Sequence, residues 1–200
     1  MEIIFFVLVL IMSVVIHEVS HGYIAYLLGD PTAKLKGRLT LNPISHIDPI
    51  GSIIVPAILA LTNSGFLFGW ARPVPYNPHN LGGGKWGPAY VAVAGPASNL
   101  IIALVFGLGL RFLTFSAEIQ GFLMTIVILN IVLAVFNLIP IPPLDGSKIL
   151  FSALPYRLRY IEDFLNRYQL VLVLAVLLFA SPIIMWPVSF IFQIITGLAL

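Results

Sequence analysis

The sequence predicts an all-α polytopic membrane protein with about five to six transmembrane helices and a short re-entrant β/loop segment. Of its 200 residues, 60% are hydrophobic and only 9% are charged, whereas an average soluble domain carries about 25% charged residues. A soluble chain of this composition could not cover its surface with polar groups. Several apolar stretches also approach the roughly 20 residues that a helix needs to cross a bilayer. These observations favour an integral membrane protein.

The apolar stretches differ in how well they fit a transmembrane helix. Residues 3–28, 87–112 and 122–141 are each long enough to cross the bilayer. Residues 170–180 and 183–200 are shorter and flank a Ser-Pro pair, which predicts a C-terminal helical hairpin.

Residues 50–68 fit a full span less well, because Pro56 interrupts the stretch and the polar residues 62–65 end its regular part. A stretch of this kind is expected to re-enter the membrane or to form a short hairpin. Non-helical backbone at that depth is tolerated only where it is buried in protein or faces a wet cavity. Before this stretch, residues 37–43 could form a short strand.

Composition also limits the chemistry that the chain can carry. There is no cysteine, so disulfides, thiolate zinc sites and a cysteine nucleophile are excluded, and any metal must be bound by His, Asp or Glu. The net charge of +2 is too small to favour a nucleic-acid partner. The N-terminal stretch lacks the basic start and the cleavage site of a signal peptide, so we expect it to be retained.

The first apolar stretch contains the motif His17-Glu18-Val19-Ser20-His21. On a helix, positions i and i+4 share one face, so both imidazoles can reach one metal ion, with Glu18 beside it as a candidate general base. Each ionisable side chain within a span costs roughly 2.5–3.5 kcal/mol on insertion scales. Three of them within five residues favour a functional site over a structural polar patch between helices.

A catalytic zinc ion takes three protein ligands and keeps one open position. Asp145 is the candidate third ligand, because an apolar helix ends in the cluster Pro140-Ile141-Pro142-Pro143 just before it. Proline breaks the helix, which lets the carboxylate turn inward at membrane depth. The alternative is an ordinary Asp-Gly turn after a span.

Two amides, Asn99 and Asn137, lie inside apolar helices, where an amide is costly unless it is hydrogen-bonded. They could donate to a substrate carbonyl or to the oxyanion formed from it, or they could hold helices together. The residues alone favour neither contact with the substrate nor hydrogen bonding between helices. His46 and His79 lie in polar, proline-rich loops and are expected to be solvated or structural rather than ligands.

With these motifs in this order, the chain resembles the site-2 protease family of intramembrane zinc metalloproteases, in a short form without a PDZ or CBS domain. The resemblance covers residues 3 to about 150, and its motifs are His17-Glu18-x-x-His21, Gly95-Pro96-Ala97-Ser98-Asn99 and Asn137-x-x-Pro140-x-Pro142-x-x-Asp145-Gly146. The loops at 37–51 and 71–78 are also similar to those of short bacterial and archaeal members.

The resemblance implies a single membrane-embedded protease domain over 1–200, with its core at 3–150 and the helical hairpin at 168–200. It implies one Zn²⁺ ion and cleavage of a peptide bond within or near a transmembrane segment of a membrane protein substrate. The family's site residues map onto His17, His21 and Asp145 as metal ligands, Glu18 as the catalytic residue, and Asn99 and Asn137 near the substrate.

A shared metal imposes a topology. His17 and His21 lie toward the C-terminal end of their helix and Asp145 follows the end of its own, so both helices must run in the same direction, with residues 87–112 as the antiparallel return. Residues 29–86 then leave and return on one face. Nine of the ten Lys and Arg residues fall on that side and only Arg111 falls opposite. The positive-inside rule makes the active-site side cytoplasmic in a multi-pass protein of the cell membrane.

Other functions stay open from the residues alone. A zinc-binding membrane scaffold or transporter, and a membrane hydrolase acting on non-peptide substrates, would carry similar ligands. His and carboxylate ligands also accept divalent ions other than zinc. The sequence gives no indication of an oligomeric state.

Overall fold

The computed structural model describes residues 2–62, 69–179 and 181–200, and its regular structure there is helical. The all-α prediction is therefore confirmed. The helices are α1 (Glu2–Leu27), α2 (Thr32–Leu35), α3 (Val55–Leu61), α4 (Gly87–Phe112), α5 (Ala117–Asn137), α6 (Asp145–Ala153), α7 (Arg159–Arg167), α8 (Gln169–Phe179) and α9 (Ser181–Thr196). Short 3₁₀ turns cover Pro43–His46, Pro78–Asn80, Gly84–Trp86 and Tyr156–Leu158, and a π-helical turn covers Pro49–Ile54.

Among the described residues, three helical segments are long and apolar enough to cross a membrane, namely Ile3–Leu27, Gly84–Phe112 and Ala117–Asn137. Helices α8 and α9 are bent by 64° relative to each other and would make a fourth span if counted as one. The predicted count of five to six therefore stays a prediction. So does the C-terminal hairpin, since residue 180 at its turn lies outside the described residues.

The predicted short strand at 37–43 is wrong, because this segment forms no ladder with any described residue. Its polar groups are used locally instead. The Thr40 carbonyl accepts from His46 Nε2 at 2.9 Å, and the Asn42 side chain accepts from the Ile44 N–H at 3.1 Å. A strand needs a partner for its backbone groups. This segment instead forms a loop, and its hydrogen bonds join it to the 3₁₀ turn at Pro43–His46.

The start of the stretch at 50–68 lies beside Trp70, which follows the stretch in the chain. The Trp70 N–H donates to the Gly51 carbonyl at 3.1 Å, and the Ser52 hydroxyl donates to the Trp70 carbonyl at 2.8 Å. Residues 63–68, where the stretch was expected to turn back, lie outside the described residues. Re-entry into the membrane stays a prediction.

Side-chain contacts give the relative directions of the three long helices. Phe5 meets Phe122 with ring centroids 4.5 Å apart, and Ser13 bonds to Asn130 at 3.0 Å, so α1 and α5 run in the same direction. Along α4, Val91 contacts His21 and Asn99 contacts Ser13, so α4 runs antiparallel to α1. The directions predicted from a shared metal site are confirmed.

The main apolar core joins α4, α5 and α9. Its buried members are Ala103, Val127, Ile131, Val188, Phe192 and Ile195. Gly107 allows the close approach of α9, because a Cβ there would collide with the Ile195 side chain. Small residues at such crossings permit the tight van der Waals packing on which helix association in lipid depends.

Asp30, fully buried just after α1, anchors the chain that returns toward this helix. Its carboxylate accepts from the Thr32 hydroxyl at 2.6 Å, the Asn77 N–H at 2.6 Å and Asn80 Nδ2 at 3.0 Å. Burial alone would raise the pKa of Asp30, but these hydrogen bonds lower it below its usual value. The anchor sets the position of residues 69–77, whose Val74 lies beside Glu18 and Gly22 in the C-terminal half of α1.

Candidate metal centre

Three buried side chains from two distant parts of the chain meet at one point. His17 and His21 lie one turn apart on α1, and Asp145 is the first residue of α6. The Asp145 Oδ2 atom lies 3.1 Å from His17 Nε2 and 3.0 Å from His21 Nε2. Each of the three residues is at most 6% exposed. The side chains that the sequence singled out as metal ligands are therefore together.

Hydrogen bonds on the far side of each ring identify which nitrogen faces this point. His21 Nδ1 donates to the Val91 carbonyl at 2.7 Å. His17 Nδ1 donates to Asn99 Oδ1 at 2.6 Å, and that oxygen is identified because Asn99 Nδ2 donates to the Ser13 carbonyl. In the neutral rings both Nε2 atoms thus carry lone pairs. Two imidazole lone pairs and a carboxylate oxygen converge, which favours a cation among them.

The amide that orients His17 belongs to a fully buried network across α1, α4 and α5. Asn99 Nδ2 also donates to Asn130 Oδ1 at 2.8 Å, and Asn130 Nδ2 donates to the Ser13 hydroxyl at 3.0 Å and the Ile126 carbonyl at 2.9 Å. Both amides are completely buried. Such partners behind a ligating histidine orient the ring and fix its tautomer.

Gly95 gives the imidazoles their space. A Cβ at this position of α4 would lie 2.5 Å from both His17 Nε2 and His21 Nε2. Any larger residue would therefore occupy the space in front of the two ring nitrogens. Glycine is required here by close approach rather than by backbone conformation, since the residue is helical.

The chain between α5 and α6 turns sharply and delivers Asp145 to the imidazoles. Pro140, Pro142 and Pro143 cannot donate the backbone hydrogen bonds of a helix, and α5 ends at Asn137. A side chain at Gly146 would collide with the Leu138 carbonyl, so glycine lets the turn close.

The Asp145 carboxylate is held as an anion. Lys148 Nζ donates to the Oδ1 oxygen at 3.1 Å, while Oδ2 faces the imidazoles. An ionised carboxylate is the form that binds a metal.

Glu18 borders the same centre. One atom able to ligate a metal from each of His17, Glu18 and His21 lies within 4.8 Å of the other two. Glu18 Oε2 accepts from the Val74 N–H at 2.8 Å, and this N–H is the one donor in Pro73-Val74-Pro75. Arg38 Nη2 holds the same segment through the Arg72 carbonyl at 2.9 Å. The Val74 N–H thus orients the Glu18 carboxylate beside the proposed metal position.

The donor set fits zinc. Neighbouring ligands of a tetrahedral zinc ion with bonds of about 2.0–2.2 Å lie about 3.3–3.5 Å apart, close to the 3.0–3.1 Å between Asp145 Oδ2 and the two Nε2 atoms. Two imidazoles and one carboxylate also leave a fourth position open, as catalytic zinc sites do.

The other residues considered from sequence lie elsewhere. Asn137, at the end of α5, donates from Nδ2 to the Leu133 carbonyl of its own helix at 2.9 Å. His46 is buried and bonded to Thr40, and His79 is exposed at the 3₁₀ turn after Asn77. Neither histidine is among the residues that converge on the centre.

The sequence interpretation overlooked Ser13, Asn130, Val74 and Lys148. Asn130 could have been found by the argument that identified Asn99, because it is another amide within an apolar helix. The Val74 N–H carries no sequence signal, since every residue other than proline has such a group.

The network predicts an effect of Asn130 on metal binding. Replacement by leucine should leave Asn99 Nδ2 and the Ser13 hydroxyl without one partner each, at about 1–3 kcal/mol of stability per unsatisfied group. Zinc affinity should fall about 10-fold or more, because partners behind the ligands contribute at this level. Zinc titration of the purified variant measures this.

Thr125→Val on the same helix is the matched control, since the Thr125 hydroxyl donates to the Gly121 carbonyl of its own helix. It should bind zinc like the wild type. Equal zinc affinity in Asn130→Leu and Thr125→Val would contradict an orienting role for the amide network.

Comparison with known proteins supports a metalloprotease. Residues 113–180 match the model of Peptidase family M50. The "Putative zinc metalloprotease YwhC" of Bacillus subtilis is 38% identical over 195 residues, which cover 92% of this chain and 84% of the relative. No solved structure matches the chain.

Two further relatives are longer than the region they share with this chain. The "Putative zinc metalloprotease Rip2" of Mycolicibacterium smegmatis is 35% identical over 152 residues, or 68% of this chain and 52% of the relative. The "Zinc metalloprotease MJ0392" of Methanocaldococcus jannaschii is 30% identical over 158 residues, or 78% of this chain and 36% of the relative.

Proposed function

Since this chain belongs to peptidase family M50, the site-2 protease family of zinc metalloproteases, we propose that it hydrolyses a peptide bond within or near a transmembrane segment of a membrane protein substrate. The observation that carries the proposal is the convergence of two imidazole nitrogens and one carboxylate oxygen between apolar helices. In this assignment His17, His21 and Asp145 hold zinc, and Glu18 is the general base. The chain then forms a single protease domain in the lipid bilayer.

Zinc bound at this centre supplies the Lewis acidity that polarises a carbonyl and makes a water molecule acidic. Glu18 takes the proton of the attacking water and passes it to the leaving amine. Val74 holds one oxygen of Glu18 and leaves the other for this transfer. A helical substrate must unwind locally, because its carbonyls are otherwise hydrogen-bonded and shielded.

The two candidate amides take different roles in this proposal. Asn99 is fully buried and its amide is bonded to His17, Ser13 and Asn130, which supports an orienting role. The predicted contact of Asn99 with substrate would require these bonds to break. Asn137 stays the candidate for contact with the substrate or its oxyanion, since it ends α5 on the same side as Asp145.

A cleavage assay with purified protein tests the function. A peptide containing one transmembrane segment, reconstituted with the protein in lipid, should be cut. A chelator should abolish the cleavage and added zinc should restore it. Products located by mass spectrometry should end within or next to the membrane segment.

Two outcomes of this assay would contradict the proposal. Absence of cleavage in a panel of transmembrane peptides, with a zinc-loaded protein, would favour a scaffold or transporter. Turnover of lipid-linked, non-peptide esters in place of peptides would favour the other class of hydrolase.

We further propose that the metal centre faces the cytoplasm. All basic residues except Arg111 belong to the loops and helix ends on the side of the metal centre in the predicted topology, and Arg111 lies near the opposite end of α4. An excess of Lys and Arg marks cytoplasmic loops. This supports a cytoplasmic position for the segment containing Lys34, Lys36 and Arg38.

Single cysteines can test this orientation, because the natural chain contains none. In intact cells, a membrane-impermeant maleimide should label Ser116→Cys, at the start of α5. Lys36→Cys should react only after the membrane is permeabilised. The reverse labelling pattern would contradict the proposed orientation.

A further inference from the structure

Lys148 lies one helical turn after Asp145 on α6 and divides the two carboxylate oxygens between different partners. Its Nζ atom donates to Asp145 Oδ1 at 3.1 Å, while Oδ2 faces His17 and His21. We infer that Lys148 is a positioning residue that occupies one oxygen of Asp145 and so presents the other alone to the metal. This inference rests on the proposed role of Asp145 as a zinc ligand.

The physical basis is the choice that a carboxylate has between binding through one oxygen or through two. A hydrogen bond from an ammonium group to a carboxylate is charge-assisted and strong, so it competes with the metal for the oxygen it occupies. With Oδ1 held by Lys148, Asp145 would contribute a single bond to a zinc ion held also by His17 and His21. With Oδ1 released, a second bond to the metal becomes available and the coordination number can rise.

This ion pair differs from an exposed one. Surface pairs contribute little, because water screens both charges. Here the Asp145 side chain is 6% exposed and that of Lys148 is 33% exposed. The Lys148 ammonium also lies 5.8 Å from the centre of the Tyr76 ring, within the range of a cation–π contact. The Asp145 carboxylate and the Tyr76 ring thus both hold the Lys148 ammonium in place.

The contact with Tyr76 places Lys148 against the segment that orients Glu18. Tyr76 belongs to residues 69–77, whose Val74 N–H holds the Glu18 carboxylate. Lys148 therefore touches both the metal ligand and the segment next to the general base. Loss of its side chain should change metal coordination more than helix stability, because α6 retains its other contacts with α4.

Lys85 provides a matched control. It lines the same cavity as Lys148, with a volume of about 460 Å³. Its ammonium lies over the Trp86 ring, 5.2 Å from the ring centre, and it is not among the residues that contact Asp145. A variant at Lys85 removes the same charge from the same cavity without changing the carboxylate.

The test measures metal binding rather than proteolysis alone. Wild type, Lys148→Met, Lys148→Arg and Lys85→Met are purified in detergent and titrated with zinc in competition with a chromophoric chelator. Each is then loaded with Co²⁺, whose visible absorption is more intense in four-coordinate than in five-coordinate sites and so reports geometry. Thermal unfolding of the metal-free proteins shows whether each variant is folded.

We expect Lys148→Met to lose about 10- to 100-fold in zinc affinity, the usual effect of removing a partner of a metal ligand. Its Co²⁺ band should weaken as the coordination number rises. Lys148→Arg should restore most of both properties, because a guanidinium can hold the same oxygen. Lys85→Met should match the wild type. Lys148→Leu, which also has no donor, gives a second neutral variant with the same expectation if the methionine variant does not fold.

Wild-type affinity and an unchanged Co²⁺ spectrum in a folded Lys148→Met or Lys148→Leu variant would overturn this inference and leave the proposed function intact. Equal losses in the Lys148 and Lys85 variants would also overturn it, since the cause would then be common to both lysines and not the bond from Lys148 to Asp145. A wild type that binds no metal would instead overturn the proposed function, and this inference with it.

Discussion

Replacing Glu18 with glutamine should abolish proteolysis while zinc binding is retained. Glutamine has the size of glutamate and its amide oxygen can still accept from the Val74 N–H, but it cannot take a proton from water. Loss of a general base costs about 10²- to 10⁴-fold in rate. The measurement is the cleavage rate of a reconstituted transmembrane peptide beside the zinc content of the same preparation.

Glu118→Gln is the control for this experiment, because Glu118 is an exposed acid in the first turn of α5, away from His17 and His21. It should cleave at the wild-type rate. Undiminished turnover in Glu18→Gln would remove Glu18 as the base and, with it, the hydrolytic mechanism proposed here. Loss of zinc together with activity would instead make Glu18 a ligand.

Replacing Asp145 with alanine should have the largest effect on the metal itself. It removes the only carboxylate oxygen within 3.1 Å of both imidazole nitrogens among the described residues, and two histidines alone make an incomplete zinc site. Removing a partner of a ligand already costs 10- to 100-fold, so removing the ligand should cost at least about 100-fold. Metal analysis after dialysis measures this.

Two companion variants make the result specific. Asp145→Asn keeps the shape of the side chain and should also lose affinity, since a neutral amide oxygen is a weaker ligand than a carboxylate. Asp163→Ala, at an exposed position of α7, should bind zinc like the wild type. Stoichiometric, tight zinc in a folded Asp145→Ala protein would show that the third ligand lies elsewhere.

Family membership and these variants address different questions. The relatives establish which family the chain belongs to, whereas the roles of individual residues depend on the geometry of the centre. The same variants separate the proposed protease from a zinc-binding scaffold, because a scaffold would need Asp145 but not Glu18.

Much of the candidate centre could be predicted from sequence because its signals are local. The i, i+4 spacing puts His17 and His21 on one face of a helix, and the proline cluster before Asp145 ends α5 at a defined place. Requiring one shared ion then gave the parallel course of α1 and α5, which the contacts of Phe5 with Phe122 and Ser13 with Asn130 confirm.

The predicted strand at 37–43 shows where local signals were insufficient. Strand formation depends on a partner for the backbone groups, and nothing in those seven residues says whether one is present. Thr40 and Asn42 use their polar groups within the loop instead. The partition of residues 50–68 and 168–200 into spans depends in the same way on long-range packing.

By itself, the sequence determined the membrane environment, the helical class and the set of side chains able to bind zinc, because composition and helical periodicity are properties of neighbouring residues. Only the tertiary structure decided how those side chains are supported. The register between α1, α4 and α5 places Asn99 and Asn130 behind His17, and the turn into α6 places Lys148 on the second oxygen of Asp145. Such contacts join residues far apart in the chain, and their partners follow from packing rather than from spacing.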